Sequence, residues 1–487
     1  MMKQKDFLFN IIFLIFLNLL VKPFWILGIE VGVQNSVGAE NYGLYFAVFN
    51  FTFLFNMLLD MGITNFNSRN IARHQQLLQK HLSCIITLKL LLGVLYMTVV
   101  FAVALVIGYR GFQLWLLFWM AINQFLNAFV LYLRSNVSAL MMFKTDSCLS
   151  VLDRLLMIVF CSILLWGGIT DESFRIEWFV YSQTVAYGAT ALVALSVVLS
   201  KGHVTRLTWN PAFFLMIIRK SLPFAVLYLL MSFYNRIDSV MIERLLPGNT
   251  GLAEAGIYAS AFRLLDALVM IAYLFSVILL PLFSRMLKNR EDLNPIVKTS
   301  FSLLFVFSIT SVVLLEFFRV PVLDMLYREH VMESAAVFRV IIPCIIPISF
   351  TYLFGTMLTA NGNMKQLNIT ALAGILVNVC VNLFLIPRLQ AAGAAIASLS
   401  TQSVVAALQV VIAFRQLQVS FWRLPIVSSL IFTVLLVPTV MLFAKVYSGS
   451  VISALLITGL WAVFLAFATR LLSVRDINAM KLQHKRD

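Results

Sequence analysis

Apolar residues along this chain do not alternate in short bursts; they run for about twenty residues at a time, the length a helix needs to cross a bilayer. Fourteen such segments can be read, at roughly 7–30, 43–63, 83–108, 112–133, 148–169, 178–200, 221–243, 255–283, 298–318, 332–359, 366–387, 391–414, 424–444 and 451–470. The fifth and tenth begin with mixed polar sequence. The first follows MMKQKD, and VGA before Glu40 resembles a cleavage site. That run nevertheless exceeds the about 7–15 residues of a signal-peptide core and reads as a retained helix. Connections are short, the longest outer one being about Phe318 to Val331. The pattern predicts an all-α integral membrane protein.

Composition agrees. Hydrophobic residues make up 61% of the chain, charged residues 12%, and mean hydropathy is +0.94. A soluble chain keeps about a quarter of its residues charged. The 487 residues would suggest about three soluble domains, but one membrane bundle absorbs them all. A net charge of +15 invites a nucleic-acid reading; that needs basic residues on a solvated domain, and no segment is long enough to form one.

The surplus reads instead as positive-inside bias. With the N-terminus inside, cytoplasmic segments hold 24 Lys/Arg, counting Arg154, Lys298 and Arg470 at helix ends, against seven outside. Both termini are then cytoplasmic. Five cysteines and five histidines show no metal-ligand spacing, and all the histidines lie between apolar runs. Neither a catalytic group nor a metal site is predicted. No phosphate-binding G-x-x-x-x-G-K-[ST] loop occurs, so the chain is expected not to hydrolyse ATP. A membrane glycan polymerase or ligase is the alternative of another class; it would usually carry a large outer loop.

An internal repeat is visible. GAENYGLY (Gly38–Tyr45) precedes the second helix and GLAEAGIY (Gly251–Tyr258) the eighth; the helices that follow end near Ser68-Arg69 and Ser284-Arg285. The repeat predicts two parallel pseudo-symmetric lobes, helices 1–6 in residues 1–210 and helices 7–12 in 211–416, an arrangement found among transporters. Residues 417–487 add two helices and a basic cytoplasmic tail.

Charges inside the apolar runs are the candidate chemistry. An ionised side chain near a helix centre costs about 2.5–3.5 kcal/mol, whereas a Leu or Ile recovers only about 0.3–0.6. At 1.5 Å per residue, Arg236 lies about 10 Å and Arg263 about 12 Å from the outer ends of their helices. Arg339 and Lys22 fall near the same level. Arg263 and Asp266 are three apart and can touch, whereas Arg236 and Asp238 point to different faces. Two readings stand side by side: interhelical salt bridges, and a cationic cavity for a phosphorylated head group, which arginine grips with several donors. Asp60, near the cytoplasmic end of helix 2, fits capping, a loop contact or ion coupling; Lys89 is expected to snorkel to that interface. Asn123 with Asn127, and Asn378 with Asn382, are four apart. Interhelical hydrogen bonding is one reading of these pairs and sugar recognition the other. Trp178, Trp209 and Trp422 sit near helix ends as interfacial belt residues.

Three stretches resemble the polysaccharide transporter branch of the multidrug/oligosaccharidyl-lipid/polysaccharide (MOP) exporter superfamily, the O-antigen and capsule repeat-unit flippases. They are GAENYGLY with LLDMGI (Leu58–Ile63); NRIDSVMI (Asn235–Ile242) with AGIYASAFRLLD (Ala255–Asp266) and LLPLFSR (Leu279–Arg285); and LVNVCVNLFLIPRLQAAGAAIAS (Leu376–Ser398). The resemblance implies a two-lobed bundle with a central cavity and alternating access in a bacterial inner membrane. Its cargo would be an oligosaccharide on a polyprenyl, usually undecaprenyl, diphosphate. Glycosyltransferases and a polymerase would be its pathway partners, and a monomer its expected state. Lys22 and Arg263 match the basic head-group positions of such relatives. With Arg236, Arg339, Asn378 and Asn382 they form the expected substrate site; Asp60, Asp238 and Asp266 would orient it or couple ions. No cofactor is expected, and H+ or Na+ coupling is left open. Fourteen helices, where repeat-unit flippases usually have twelve, keep the cell-wall precursor lipid II open as cargo. A cation-coupled drug or metabolite exporter is the other rival; its cavity should be predominantly acidic.

Overall fold

The computed structural model describes residues 17–473 except 18, 19, 22, 65, 66, 69, 70, 72–75, 169–172, 203–207 and 418. Among the described residues every regular element is helical. A π-helical turn, Trp25–Glu30, leads into α1 (Val31–Leu54) and the short α2 (Met57–Asp60). Then come α3 (Leu77–Val106), α4 (Phe112–Ala139), α5 (Phe143–Trp166), α6 (Ile176–Gly202), α7 (Pro211–Leu245) and α8 (Gly248–Asn289). They are followed by α9 (Asn294–Phe317), α10 (Arg319–Leu326), α11 (Val331–Ile341), α12 (Ile345–Phe350), α13 (Thr356–Asn361), α14 (Met364–Gln416), α15 (Ile426–Val446) and α16 (Val451–Ala468).

Ten helices among the described residues are long and apolar enough to cross a membrane. The 53-residue α14 carries both the eleventh and twelfth predicted segments, divided where Gln390 takes φ 52°, ψ −132° just after Pro387. The tenth segment is built from α11, α12 and α13, joined by a 3-10 turn at Ile342–Cys344 and a π turn at Thr351–Gly355. Pro343 and Pro347 remove backbone donors there. Large apolar side chains such as Val434, Leu442, Leu456 and Leu460 on α15 and α16 are exposed. Water would penalise such faces, and lipid solvates them.

The chain forms two compact units, Met1–Gly256 and Ile257–Asp487. In the first, α4 lies along α6, α1 packs on α7 and α4, and α5 packs on α6. In the second, α11 and α12 pack on α14, and α9 on α15 and α16. The change of unit comes after α7, later than the start of the second repeat copy at 211.

The tyrosine that ends each copy of the repeat bonds to a later helix. In the first, Gln183 Nε2 on α6 donates to the Tyr45 hydroxyl at 2.8 Å. In the second, the Tyr258 hydroxyl meets Ser398 Oγ, in the C-terminal part of α14, at 3.4 Å. These partners stand on the sixth and twelfth predicted segments.

Candidate functional site

In the first unit, Arg236 is half-buried on α7 with its guanidinium 5.4 Å from the ring of Phe53 on α1. Asp238 is buried two positions on, and Ser239 beside it accepts from Asn50 Nδ2 at 2.9 Å. The seventh helix thus turns its polar residues toward protein, as their insertion cost demands. Lys22 lies outside the described residues.

At the far end of the second segment, Asp60 accepts from the backbone N–H of Thr64 at 3.2 Å, and from the Thr64 hydroxyl, and forms an ion pair with Lys89. Lys89 does not snorkel: its side chain is 2% exposed, and Nζ also donates to the carbonyl of Leu59 at 3.0 Å. The helix breaks here because Met61 and Gly62 both take positive φ, 44° and 75°. A helix end leaves carbonyls without intrahelical donors, and the buried ammonium supplies one. LLDMGI is therefore a helix break with a charged cap.

Sequence reasoning missed four charged residues in this unit. Arg154, read as a cytoplasmic helix end, sits midway along α5, because that helix already begins at Phe143. Its guanidinium lies 5.4 Å from the Trp25 ring and 5.8 Å from the Tyr187 ring, with Asp153 at 3.6 Å. Glu30, read as the end of the first segment, is buried where the π turn runs on into α1; it accepts from Trp25 Nε1 at 2.9 Å. Glu243 is buried near the end of α7 and accepts from Gln113 Nε2 at 3.0 Å. Arg244 pairs with Glu243, donates to Gln113 Oε1 at 3.1 Å and lies 4.3 Å from the Tyr109 ring. Burial, with the Glu243 carboxylate nearby, raises the Tyr109 phenol well above its ordinary value. The signal available for the first two was a helix boundary moved by several residues.

In the second unit, Arg263 is 8% exposed on α8 and Asp266 half-buried one turn on. Arg339 is 66% exposed on α11, with Nε 3.3 Å from Glu316 Oε1; Arg319 donates to the same oxygen at 2.9 Å. Asn378 and Asn382 are both buried, and Asn382 Nδ2 donates to Asn378 Oδ1 at 2.9 Å. Asn123, by contrast, bridges two helices: its Nδ2 donates to Val180 O at 3.4 Å, and Thr184 Oγ1 donates to its Oδ1 at 2.7 Å. The structure thus sets Arg236 against α1 in one unit, with Asp238 buried two positions on, and Arg263 with Asp266 on α8 in the other. Among the described residues no three His, Cys, Asp or Glu are grouped to hold a metal ion.

The family model described as "Polysaccharide biosynthesis protein" matches residues 7–287, more than half of the sequence. The chain belongs to the polysaccharide biosynthesis protein family. The MatE model matches residues 223–384. No curated protein matches the sequence. Among solved structures, the lipid II flippase MurJ in an inward closed conformation is similar with TM-score 0.69 and 11% identity, over 96% of this chain and 99% of that one. An inward-facing multidrug resistance MATE transporter gives TM-score 0.62 at 15% identity, over 81% and 94%. A MOP superfamily transporter from Pyrococcus furiosus gives 0.60 at 17%, over 84% and 94%. Those likenesses establish the MOP fold, and the ten long apolar helices make this a multi-pass membrane protein.

Proposed function

We propose that this protein is a flippase that carries oligosaccharide repeat units linked to a polyprenyl diphosphate, usually undecaprenyl, from the cytoplasmic to the outer leaflet of a bacterial inner membrane by alternating access. On this reading Lys22, Arg236, Arg263 and Arg339 are the candidates to hold the diphosphate, and Asn378 and Asn382 the candidates for sugar hydroxyls. Asp238 and Asp266 orient the arginines, and Asp60, paired with Lys89, orders the end of helix 2. Glycosyltransferases supply the cargo and a polymerase removes it outside. That removal, or an H+ or Na+ gradient, drives net movement.

One observation carries the reading: Arg263 is buried, 8% exposed, in the apolar α8. A guanidinium does not lose its proton in proteins and presents five donors in a fixed fork. Such a fork suits an anion with several oxygens. The likeness to a lipid II flippase points to the same class of diphosphate-bearing cargo.

The test is reconstitution into vesicles with a defined prenyl-diphosphate oligosaccharide. Arg263→Ala is expected to slow translocation at least about tenfold, a loss of about 1.4 kcal/mol, with the yield of folded protein unchanged. Wild-type rates would remove Arg263 from the site.

A further inference from the structure

The second unit contains a cavity of about 570 Å3 outside the apolar spans. Its walls come from the α8–α9 loop, the end of α13, the end of α14 and the turn before α15. Positive-inside bias assigns all of these to the cytoplasmic face.

The wall is built at a cost. The end of α8 is closed by Glu291 N–H bonding Met286 O at 2.9 Å, a C-cap whose left-handed residue is usually glycine. Here it is Arg290, at φ 57°, a conformation costing a side-chain-bearing residue about 1–2 kcal/mol. Among the described residues the Arg290 guanidinium has no ion-pair or hydrogen-bond partner. Opposite stands Arg423, whose Nη1 donates to Asp292 Oδ2 at 2.9 Å; a guanidinium has further donors to offer.

The acids of the wall are already engaged. Asp292 takes Arg423 and also the backbone N–H of Asn294 at 3.0 Å, and Glu291 accepts from Asn289 Nδ2 at 2.9 Å. Asn361 and Gln416 add amides to the lining. Beside Arg423, Trp422 is 90% exposed. Exposed tryptophan at a helix end marks the level of lipid head groups.

We propose that this cavity binds the phosphate head group of an anionic phospholipid of the cytoplasmic leaflet. Arg290 and Arg423 hold the phosphate, and the amides hold the glycerol hydroxyls. The preference comes from guanidinium donors to phosphate oxygens rather than from net charge, since Glu291 and Asp292 offset the two arginines. The site is separate from the cargo site and does not depend on it.

The full chain, in nanodiscs of phosphatidylcholine containing about one-fifth phosphatidylglycerol, is examined by native mass spectrometry for retained lipid. Wild-type protein is expected to retain phosphatidylglycerol over phosphatidylcholine by about tenfold, and Arg290→Ala/Arg423→Ala to lose most of that preference. Asn361→Leu, which leaves the charge intact, is expected to reduce it about threefold, and Arg110→Ala in an outer loop to leave it unchanged. An equal preference in wild type and the double variant would overturn the proposal. So would displacement of the lipid by millimolar inorganic phosphate, which would make this a site for the free ion.

Discussion

Lys89 shows how a single position can be legible as a charge and illegible as a contact. Its ammonium is buried against Asp60 and the Leu59 carbonyl. Removing one member of a buried pair leaves the other uncompensated, at about 3–5 kcal/mol when both are deeply buried. Asp60 is 32% exposed, so Lys89→Met is expected to cost about 2–3 kcal/mol by thermal unfolding in detergent. Asp60→Asn in the same chain should return part of it; equal losses in the single and double variants would mean that the carboxylate is not the reason. At the proposed cargo site the sign of charge is the prediction: Asp266→Asn is expected to impair transport less than Arg263→Glu, and the reverse ranking would count against an anion site. Asp292 links a residue to pH. The backbone N–H and side-chain amide of Asn294, and then Arg423, hold its carboxyl below the usual range. Its bonds therefore stabilise the fold fully above the ordinary value of about 4 and are lost as pH falls through the lower folded value. Asp292 is exposed, so Asp292→Asn should lower stability by less than about 1 kcal/mol near neutral pH, and the gap from wild type should close in acid. Arg154 and Glu30 were hidden for one reason: hydropathy marks where lipid-like sequence stops, not where a helix stops. Helices that run on through polar sequence carry charge deeper than the pattern allows.

Elements were read better than their ends, and the repeat was read best. Its physical basis is backbone contact between its two copies. A Cβ on Gly43 would overlap the carbonyl oxygen of Leu252, and one on Gly256 would overlap that of Ala39. Gly43 stands to Gly256 as Ala39 stands to Leu252, each pair 213 positions apart. The contact is thus reciprocal, as if related by a two-fold axis, and both copies keep Gly-[Leu/Ile]-Tyr because only glycine fits the crossing. Overpacking at a rigid contact costs about 1–3 kcal/mol. Gly43→Ala and Gly256→Ala are each expected to destabilise by at least about 2 kcal/mol. Gly188→Ala on α6, with open space where its methyl would go, should be neutral or stabilising by up to about 1 kcal/mol. Comparable losses at all three positions would show that helix propensity, not the crossing, governs them. The kinks at Gly38, which takes φ 81° inside α1, and at Gln390 were not readable in this way: a hydropathy pattern shows a gap between spans, whether the chain crosses it as a loop or as a bent helix.

For the whole molecule, orientation is set by where basic residues lie rather than by any one contact. Moving Arg154 from a cytoplasmic end to the middle of α5 leaves 23 Lys/Arg on the segments assigned inside, against seven outside. No single correction of that kind reverses the bias, because each loop contributes independently and translocating each basic residue is unfavourable. Both termini are therefore expected inside, and cargo moving outward must enter from the face that carries Arg290 and Arg423. In a cysteine-free background, needed because Cys148 and Cys380 are exposed, a membrane-impermeant maleimide reads this directly. Arg110→Cys should label in right-side-out vesicles, and Arg423→Cys only after they are opened. Labelling in the opposite order would invert the bundle, place the cavity beside Arg423 on the outer leaflet, and turn the proposed direction of transport around with it.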